Sequence, residues 1–206
     1  MIRYYSQSGE DKEIIARYFS ETRNGVFVEL GALDGYKFSN TKTLEDEYGW
    51  TGVLIEPHPI AFHRLQWIRP NAKLYNCAVG VSKGRIQLIV NPDEPAVSTV
   101  VGATPRSFTN TWHRQSIVVD VECRTLADIL HDAGIMRVDF LSLDVEGYEF
   151  EVLLSMDWSI PIRVILIEMI SDHPEKNMKC RALLRQHGYR FDGTCAHNEI
   201  WVLPSS

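Results

Sequence analysis

The sequence predicts an α/β fold in which a mostly parallel sheet carries helices on both of its faces. Short runs that are apolar throughout alternate with segments of helical periodicity, and strands covered on both sides by helices have that uniformly apolar composition. Several strand-then-helix units follow one another, which is typical of a parallel sheet with right-handed crossovers. The chain has 206 residues, 45% of them hydrophobic, so one domain with a substantial core accounts for its whole length.

The first part of the chain supplies three of these units. We predict an N-terminal helical cap at 1–24, with a helix over 8–22 whose first turn Ser6 or Ser8 would cap. The other predicted elements of this part are strands over 25–32, 51–57 and 72–80 and helices over 39–49 and 59–69.

The alternation breaks at about 83–123, where we predict an inserted hairpin or loop that crosses the edge of the sheet and is a candidate lid. Strands are predicted over 85–91 and 116–124, and the long loop 92–116 joins them. Side chains of this loop could stack on a sugar ring or close over a substrate: Arg106, Phe108, Trp112, His113 and Arg114.

The alternation then resumes to the end of the chain. Thr125 is the expected N-cap of the next helix, over 125–134. A closing hairpin, 189–193 with 199–204, is expected to place an antiparallel strand at the edge of the sheet. The elements between are strands over 138–145 and 163–170 and helices over 147–156 and 174–187.

Charge and composition narrow the class of partner. The formal net charge is −6 and lysines and arginines form no run, so we expect no nucleic-acid partner. The N-terminus lacks the apolar core of a signal peptide, and no apolar stretch reaches the length of a membrane span. The cysteines are not at metal-ligand spacing, so we expect reduced, buried thiols in a cytoplasmic protein: Cys77, Cys123, Cys180 and Cys195.

The polar residues that stand out are at the ends of predicted strands, where ligands bind in such sheets. The turn after the first strand carries Glu29 and Asp34 beside Gly31 and Gly35, but it lacks the second glycine of a dinucleotide fingerprint. Acids in this turn suit a ligand with an ammonium group and ribose hydroxyls but no phosphate, and S-adenosylmethionine fits that description. Glu56 ends the second strand, where an acid can accept both ribose hydroxyls.

These motifs resemble the FkbM-type family of S-adenosylmethionine-dependent methyltransferases over nearly the whole chain. The resemblance implies a Rossmann-like, seven-stranded sheet (the class I methyltransferase fold) and methyl transfer, usually to oxygen, with sugar hydroxyls, polyketide hydroxyls and some carboxylates among the acceptors. Leu33 departs from the small polar residue usual in that turn, and we expect its amide to serve the ligand. The matching motifs are SQSGED (6–11), VFVELGALDG (26–35), SNT (39–41), GVLIEPHP (52–59), NCAVG (76–80), RTLADIL (124–130), LSLDVEGYEFEVL (141–153) and ILIEM (165–169).

The resemblance also implies which residues hold the cofactor. Ala78 and Val79 would flank the adenine, and four residues would close the methionine end: Gln7, Glu10, Ser39 and Asn40. The remaining contacts would come from the ends of the first, second and fourth strands: Glu29, Gly31, Ala32, Asp34, Gly35, Glu56, Pro57 and Asp144.

The candidate catalytic residues follow the strands predicted over 138–145 and 163–170. They are Asp144, Glu146, Glu168 and His173. In one hypothesis Asp144, Glu146 and Glu168 bind Mg²⁺ or Mn²⁺ and orient two hydroxyls. In another no metal is present, and one acid or His173 removes the acceptor proton. In the third, the acids only favour the start of a helix. We favour a site without an obligatory metal; if one is bound, Asp144 and Glu168 would hold it.

Glu149 and Glu151 are expected to be solvated charges of the following helix. The function predicted is O-methylation of a hydroxyl, of a sugar in a glycan or glycolipid. The alternatives are a hydroxyl or carboxylate of a small secondary metabolite, a non-catalytic S-adenosylmethionine-binding module, and a nicotinamide oxidoreductase, which the missing glycine opposes. The chain could also be part of a larger glycan-synthesising protein or form a homo-oligomer.

Overall fold

The computed structural model describes residues 2–91, 94–103, 116–171 and 173–204. In these ranges the helices are α1 (Glu10–Ile14), α2 (Lys42–Tyr48), α3 (Pro59–Ile68), α4 (Leu126–Asp132), α5 (Glu149–Leu154) and α6 (Pro174–Gln186). The strands are β1 (Val26–Leu30), β2 (Thr51–Ile55), β3 (Lys73–Tyr75), β4 (Ala78–Val79), β5 (Gly84–Val90), β6 (Thr99–Val100), β7 (Ile117–Arg124), β8 (Val138–Leu143), β9 (Ile162–Glu168), β10 (Arg190–Cys195) and β11 (Asn198–Val202).

The main sheet has seven strands in the order β10-β11-β9-β8-β1-β2-β3. All of its pairs are parallel except the two that β11 makes, with β9 and with β10. The predicted mostly parallel, seven-stranded sheet is therefore confirmed. The antiparallel strand lies one place inside the edge, because β11 inserts between β9 and the outermost strand β10.

The insertion contains the predicted hairpin, β5 with β7, and this hairpin is part of a second sheet. Its order is β4-β7-β5-β6, and β5 pairs antiparallel with β7 along seven residues, from Gly84↔Cys123 to Val90↔Ile117. The strand predicted over 72–80 accordingly divides: β3 stays in the main sheet with β2, and β4 joins β7. The five aromatic and basic side chains predicted to act from the loop, Arg106 to Arg114, lie outside the described residues.

The two faces of the main sheet carry separate apolar cores. One joins β1, β2, β8 and β9 to α4, α5 and α6. The other packs the N-terminal segment, α2 and α3 on the opposite face. Ile14, Ile15 and Phe19 are buried there. The observed helical segment is shorter than the predicted 8–22: α1 ends at Ile14, and a π-helical turn, Ile15–Phe19, continues it.

Two helix caps were predicted. Gly9 is the N-cap residue of α1, and the Ser6 hydroxyl accepts from the Asp11 amide in its first turn at 3.3 Å, so Ser6 of the two predicted serines makes this contact. The Thr125 hydroxyl does accept from the backbone N–H of Asp128 and caps α4. All four cysteines are free and buried, as predicted. Among the described helices, none has the length and apolar character that crossing a membrane requires.

The register of β1 and β2 requires a glycine at position 52. A β-carbon there would lie 2.0 Å from the Phe27 carbonyl oxygen, so we expect Gly52→Ala to lower the free energy of unfolding by more than about 3 kcal/mol. Gly134→Ala is the matched control: Gly134 has φ +64 and no heavy atom within 4 Å of an added β-carbon, so only the backbone cost of about 1 kcal/mol applies. Urea denaturation of both variants gives the comparison, and equal losses would contradict the steric argument.

Candidate functional site

A cleft of about 640 Å³ opens at the carboxyl ends of the central strands. Its walls come from the residues that end β1, β2, β8 and β9, from the N-terminal segment, and from residues 94–98 and β4 of the second sheet. This is the place where an open α/β sheet binds ligands. Twelve of the predicted site residues line it: Gln7, Glu10, Glu29, Gly31, Asn40, Glu56, Pro57, Ala78, Val79, Asp144, Glu146 and Glu168.

A close backbone approach shapes the floor of the cleft. Gly31 has φ +76, and a β-carbon on it would lie 2.0 Å from the Asp144 carbonyl oxygen. The Asp144 amide in turn donates to the Leu30 carbonyl. The turns that follow β1 and β8 are therefore in direct contact, and only glycine fits between them.

Glu29 is a buried anchor for the loop at 39–41. Its carboxylate accepts hydrogen bonds from the Ser39 hydroxyl at 2.9 Å, the Asn40 amide at 2.6 Å and the Thr41 hydroxyl at 2.6 Å. Burial raises the pKa of Glu29, while the Arg69 guanidinium and these three hydrogen bonds lower it. Glu29 borders the cleft, but its main contacts fix a loop that also borders it.

Three residues predicted to touch the cofactor, Ala32, Asp34 and Gly35, do not line the cleft. The Asp34 carboxylate accepts from the Tyr36 and Lys37 amides and so holds its own turn. Gly35 faces α3, since a β-carbon there would lie 2.5 Å from Leu65. Ser39 likewise lies behind the wall, bound to Glu29.

Glu56 presents its carboxyl at the end of β2. One oxygen accepts the Leu33 amide at 2.8 Å, and the other accepts the His58 amide at 2.7 Å. The Leu33 amide, which we expected to serve a ligand, is therefore taken by Glu56. Burial raises the pKa of Glu56 to about 7, and the two backbone hydrogen bonds oppose this rise. Each oxygen keeps a lone pair with which it can accept a ligand hydroxyl.

Asn40 has an unsatisfied acceptor at the cleft wall. Its side-chain amide donates to the Ser142 hydroxyl at 2.9 Å, and its Oδ1 atom has no hydrogen-bond partner among the described residues. The residue is only 9% exposed. A buried acceptor without a partner is costly, so this atom fits a ligand that donates a hydrogen bond.

Asp144, Glu146 and Glu168 meet at one end of the cleft. Burial and the Asp144 charge raise the pKa of Glu168 strongly, and the Glu168 Oε2 atom has no hydrogen-bond partner among the described residues. Burial and the Glu149 charge also raise the pKa of Asp144. Neighbouring buried carboxyls disfavour two charges at once, which favours the protonated form of Glu168.

Glu146 has a left-handed backbone, φ 51, which is uncommon outside glycine and asparagine. Its carbonyl accepts from the Thr99 hydroxyl at 2.7 Å. The amides on either side of it, of Val145 and Gly147, donate to the Glu149 carboxylate. Burial and the Asp144 charge raise the pKa of the Glu146 carboxyl.

Glu149 is not the solvated helix charge that we predicted. It is fully buried, and besides the two amides it binds the Lys176 ammonium on α6. Its hydrogen bonds therefore hold the loop that carries Glu146 in place. Glu151 is half-buried, and burial raises its pKa.

His173 lies apart from the three acids. It lines a second, more open cavity of about 620 Å³ together with Tyr148, Phe150 and Lys179. His197 and Asn198 line the main cleft. Asn198 pairs with Glu168 across β11 and β9, a contact that only the antiparallel insertion of β11 creates.

A metal ion finds little support. Among the described ranges, no group of three histidine, cysteine, aspartate or glutamate side chains has the arrangement to hold one. Asp172, which follows the strand predicted over 163–170, lies outside those ranges.

The chain is similar to known methyltransferases. The family model described as the methyltransferase FkbM domain matches residues 29–191. The methyltransferase sdnD of Sordaria araneosa is 29% identical, and the match covers 56% of each protein, so the chain spans about half the length of this curated relative. A precorrin-6y C5,15-methyltransferase from Geobacter metallireducens GS-15 superposes with a TM-score of 0.51 at 12% identity, over 95% of this chain and 87% of that one. That likeness shows the shared fold.

The raised pKa of Glu56 predicts a pH-dependent stability. Between its ordinary pKa of 4.5 and about 7, the folded state holds a proton that the unfolded state has released, so the free energy of unfolding falls as pH rises. Glu56→Gln removes this contribution. Over that interval the free energy of unfolding of E56Q, minus that of the wild type, should increase by about 2 to 3 kcal/mol. Urea denaturation at a series of pH values measures this difference. Glu47→Gln, at an exposed site, is the control, and parallel curves for E56Q and wild type would contradict the prediction.

Proposed function

This chain belongs to the family of FkbM methyltransferase domains, since the family model matches residues 29–191, and from that premise we propose an S-adenosylmethionine-dependent O-methyltransferase that acts on a hydroxyl of a sugar in a glycan or glycolipid. The observation that carries the proposal is the cluster of Asp144, Glu146 and Glu168 at the ends of adjacent strands, at the wall of the cleft. In such a cluster an ionised carboxylate can act as the general base that removes a hydroxyl proton.

The residues of the cleft fit the cofactor. Acidic side chains predominate in its lining, where Lys37 is the only lysine or arginine among the described residues. The seven acidic residues are Glu10, Glu29, Glu56, Glu94, Asp144, Glu146 and Glu168. S-adenosylmethionine carries a sulfonium and an ammonium group, which this negative wall favours. The unpartnered Oδ1 of Asn40 is an acceptor for the ammonium, and Glu56 for the ribose hydroxyls. Ala78 and Val79 offer an apolar wall for the adenine.

The chain's own residues then supply alignment and proton removal. When bound, the cofactor supplies a methyl group activated by its positively charged sulfur. Asp144 would accept the proton of the acceptor hydroxyl, whose oxygen would take the methyl group as the cofactor's carbon–sulfur bond breaks and leaves a neutral thioether. Glu168, whose raised pKa favours its protonated form, would keep the pair from carrying two repelling charges. Burial of this end of the cleft strengthens these interactions by excluding water.

The same charges bear on the class of acceptor. A sugar offers several hydroxyl donors, and the Glu146 carboxyl and the Asn198 amide lie at the same wall to receive them. A carboxylate acceptor would meet Asp144 with its own negative charge, which disfavours that alternative. His173 has no place in this scheme, because it lines the other cavity. A cytoplasmic location, membership of a larger glycan-synthesising protein and homo-oligomer formation stay predictions.

Calorimetry with S-adenosylhomocysteine, followed by a mass-spectrometric search for methylated products among neutral sugars, glycolipids and small hydroxylated metabolites, tests the proposal. Binding with methyl transfer to a sugar hydroxyl supports it. Binding without transfer to any acceptor would favour the non-catalytic module, and no binding would exclude the proposed cofactor.

Asp144→Asn tests the base directly. It removes the proton acceptor but keeps the shape of the side chain, so we expect turnover to fall by about 10²- to 10⁴-fold. The affinity for S-adenosylhomocysteine should stay within about tenfold, or about 1.4 kcal/mol. Both are measured with an acceptor that the wild type methylates. Glu151→Gln, on the far side of α5 in the second cavity, is the matched control and should leave turnover unchanged. Undiminished turnover in D144N would refute the assignment.

A further inference from the structure

We propose that residues 3–9 form a strap over the cleft, that Asp11 locks this strap to the body of the protein, and that release of the lock sets the rate of cofactor exchange. The inference rests on the proposed cofactor. Asp11 is a positioning residue in this scheme, since it does not line the cleft. In the sequence it read as no more than an acid in the first turn of a helix.

Asp11 has no exposed surface, and its carboxylate accepts four hydrogen bonds. Two donors belong to the strap, the Tyr5 amide at 2.7 Å and the Ser6 hydroxyl at 2.6 Å. The Lys12 amide at 2.8 Å is local. The fourth donor is the hydroxyl of Thr43 on α2, at 2.7 Å. A buried carboxylate bound by neutral donors on both sides therefore joins the strap to the fold.

The outer end of the strap has weaker, exposed contacts. The Tyr5 hydroxyl donates to Asp46 at 3.0 Å, and the Tyr5 and Tyr36 rings meet edge to face with centroids 5.1 Å apart. Arg3 hydrogen-bonds to the Tyr36 hydroxyl. Water competes for exposed polar contacts of this kind, so the buried bonds to Asp11 are the ones that hold the strap closed.

The inner side of the strap faces the proposed ligand. Gln7, Ser8 and Glu10 line the cleft, and the Glu10 carboxylate accepts the Ser8 amide at 2.7 Å. Gln7 and Ser8 line the same cleft as Asp144, so the strap borders the site of the proposed methyl transfer. Gly9, with φ +91 and open space around it, provides the bend at which the strap can swing.

The lock places cofactor exchange under the control of a buried charge. With the strap closed, two of its residues, Gln7 and Ser8, border the cleft. Opening it separates Asp11 from the Tyr5 and Ser6 donors, and hydrogen bonds to a charged group are among the stronger ones in proteins. Weakening Asp11 should therefore speed release of S-adenosylhomocysteine more than it slows its association.

Asp11→Asn is the test. It replaces one carboxylate oxygen by an amide that cannot accept from the strap. We expect the dissociation rate of S-adenosylhomocysteine to rise by about tenfold or more, measured by stopped-flow fluorescence. Hydrogen exchange at the Tyr5 amide should speed up in parallel. A purely structural defect would instead lower the binding stoichiometry and leave the dissociation rate of the folded fraction unchanged. A rate within about twofold of wild type would overturn the proposal.

Two further variants keep the test decisive. Asp139→Asn is the matched control, because Asp139 also accepts a backbone amide, that of Val26 at 2.8 Å, but at the opposite end of β1 from the cleft; its dissociation rate should equal that of wild type. Thr43→Val should raise the rate and add little in the D11N background, since both changes break the same lock. If D11N does not fold, Thr43→Val decides, and an unchanged rate there overturns the lock. No binding by wild type would refute the proposed function itself, and an unchanged Tyr5 exchange rate in D11N would refute the lock separately.

Discussion

One buried negative charge, that of Glu29, organises the site side of the molecule. It ends β1, holds the loop that leads into α2, and faces the Arg69 guanidinium at the end of α3. Arg69 in turn pairs with Glu45 on α2 and donates to the Gly35 carbonyl. Removing water from these charges is costly, and only complete hydrogen bonding on both sides offsets the cost. The cleft wall, the Asn40 acceptor and the Thr43 hydroxyl that contacts Asp11 all depend on this network.

The main sheet could be predicted because each of its central strands is an apolar run in the local sequence. β8 and β9 read as strands without knowledge of their partners. Of the second sheet, β5 and β7 were predicted as strands of an inserted hairpin, and they pair. Its other two strands could not be placed, because β4 belonged to the predicted strand over 72–80 and β6 is only two residues long. Asn76 fixes the bend of the chain between β3 and β4, because its side chain donates to the Glu56 carbonyl. The hydrophobic periodicity of the sequence does not predict this contact.

The candidate site was predictable where strand ends alone decide it, as for Glu56, Asp144 and Glu168. It was not where the direction of a side chain within a turn decides. Asp34 and Gly35 have the composition of a ligand turn, yet they face their own loop and α3. Glu149 reads as a helix charge because its partner, Lys176, lies on another helix. Asn198 enters the cleft only through the topology of the closing hairpin. Local sequence gives the chemistry of such residues, and tertiary contacts give their orientation.

The position of β11 has a consequence for synthesis of the chain on the ribosome. β9 has no neighbour on its outer side until residues 198–202 emerge and pair with it, and β10, although made earlier, can join the sheet only through β11. The nascent protein therefore carries an unpaired strand edge, flanked by apolar surface, until its last strand is released. Open edges of this kind recruit other strands and lead to aggregation, so folding factors that shield nascent chains would matter most in the interval before β11 is complete.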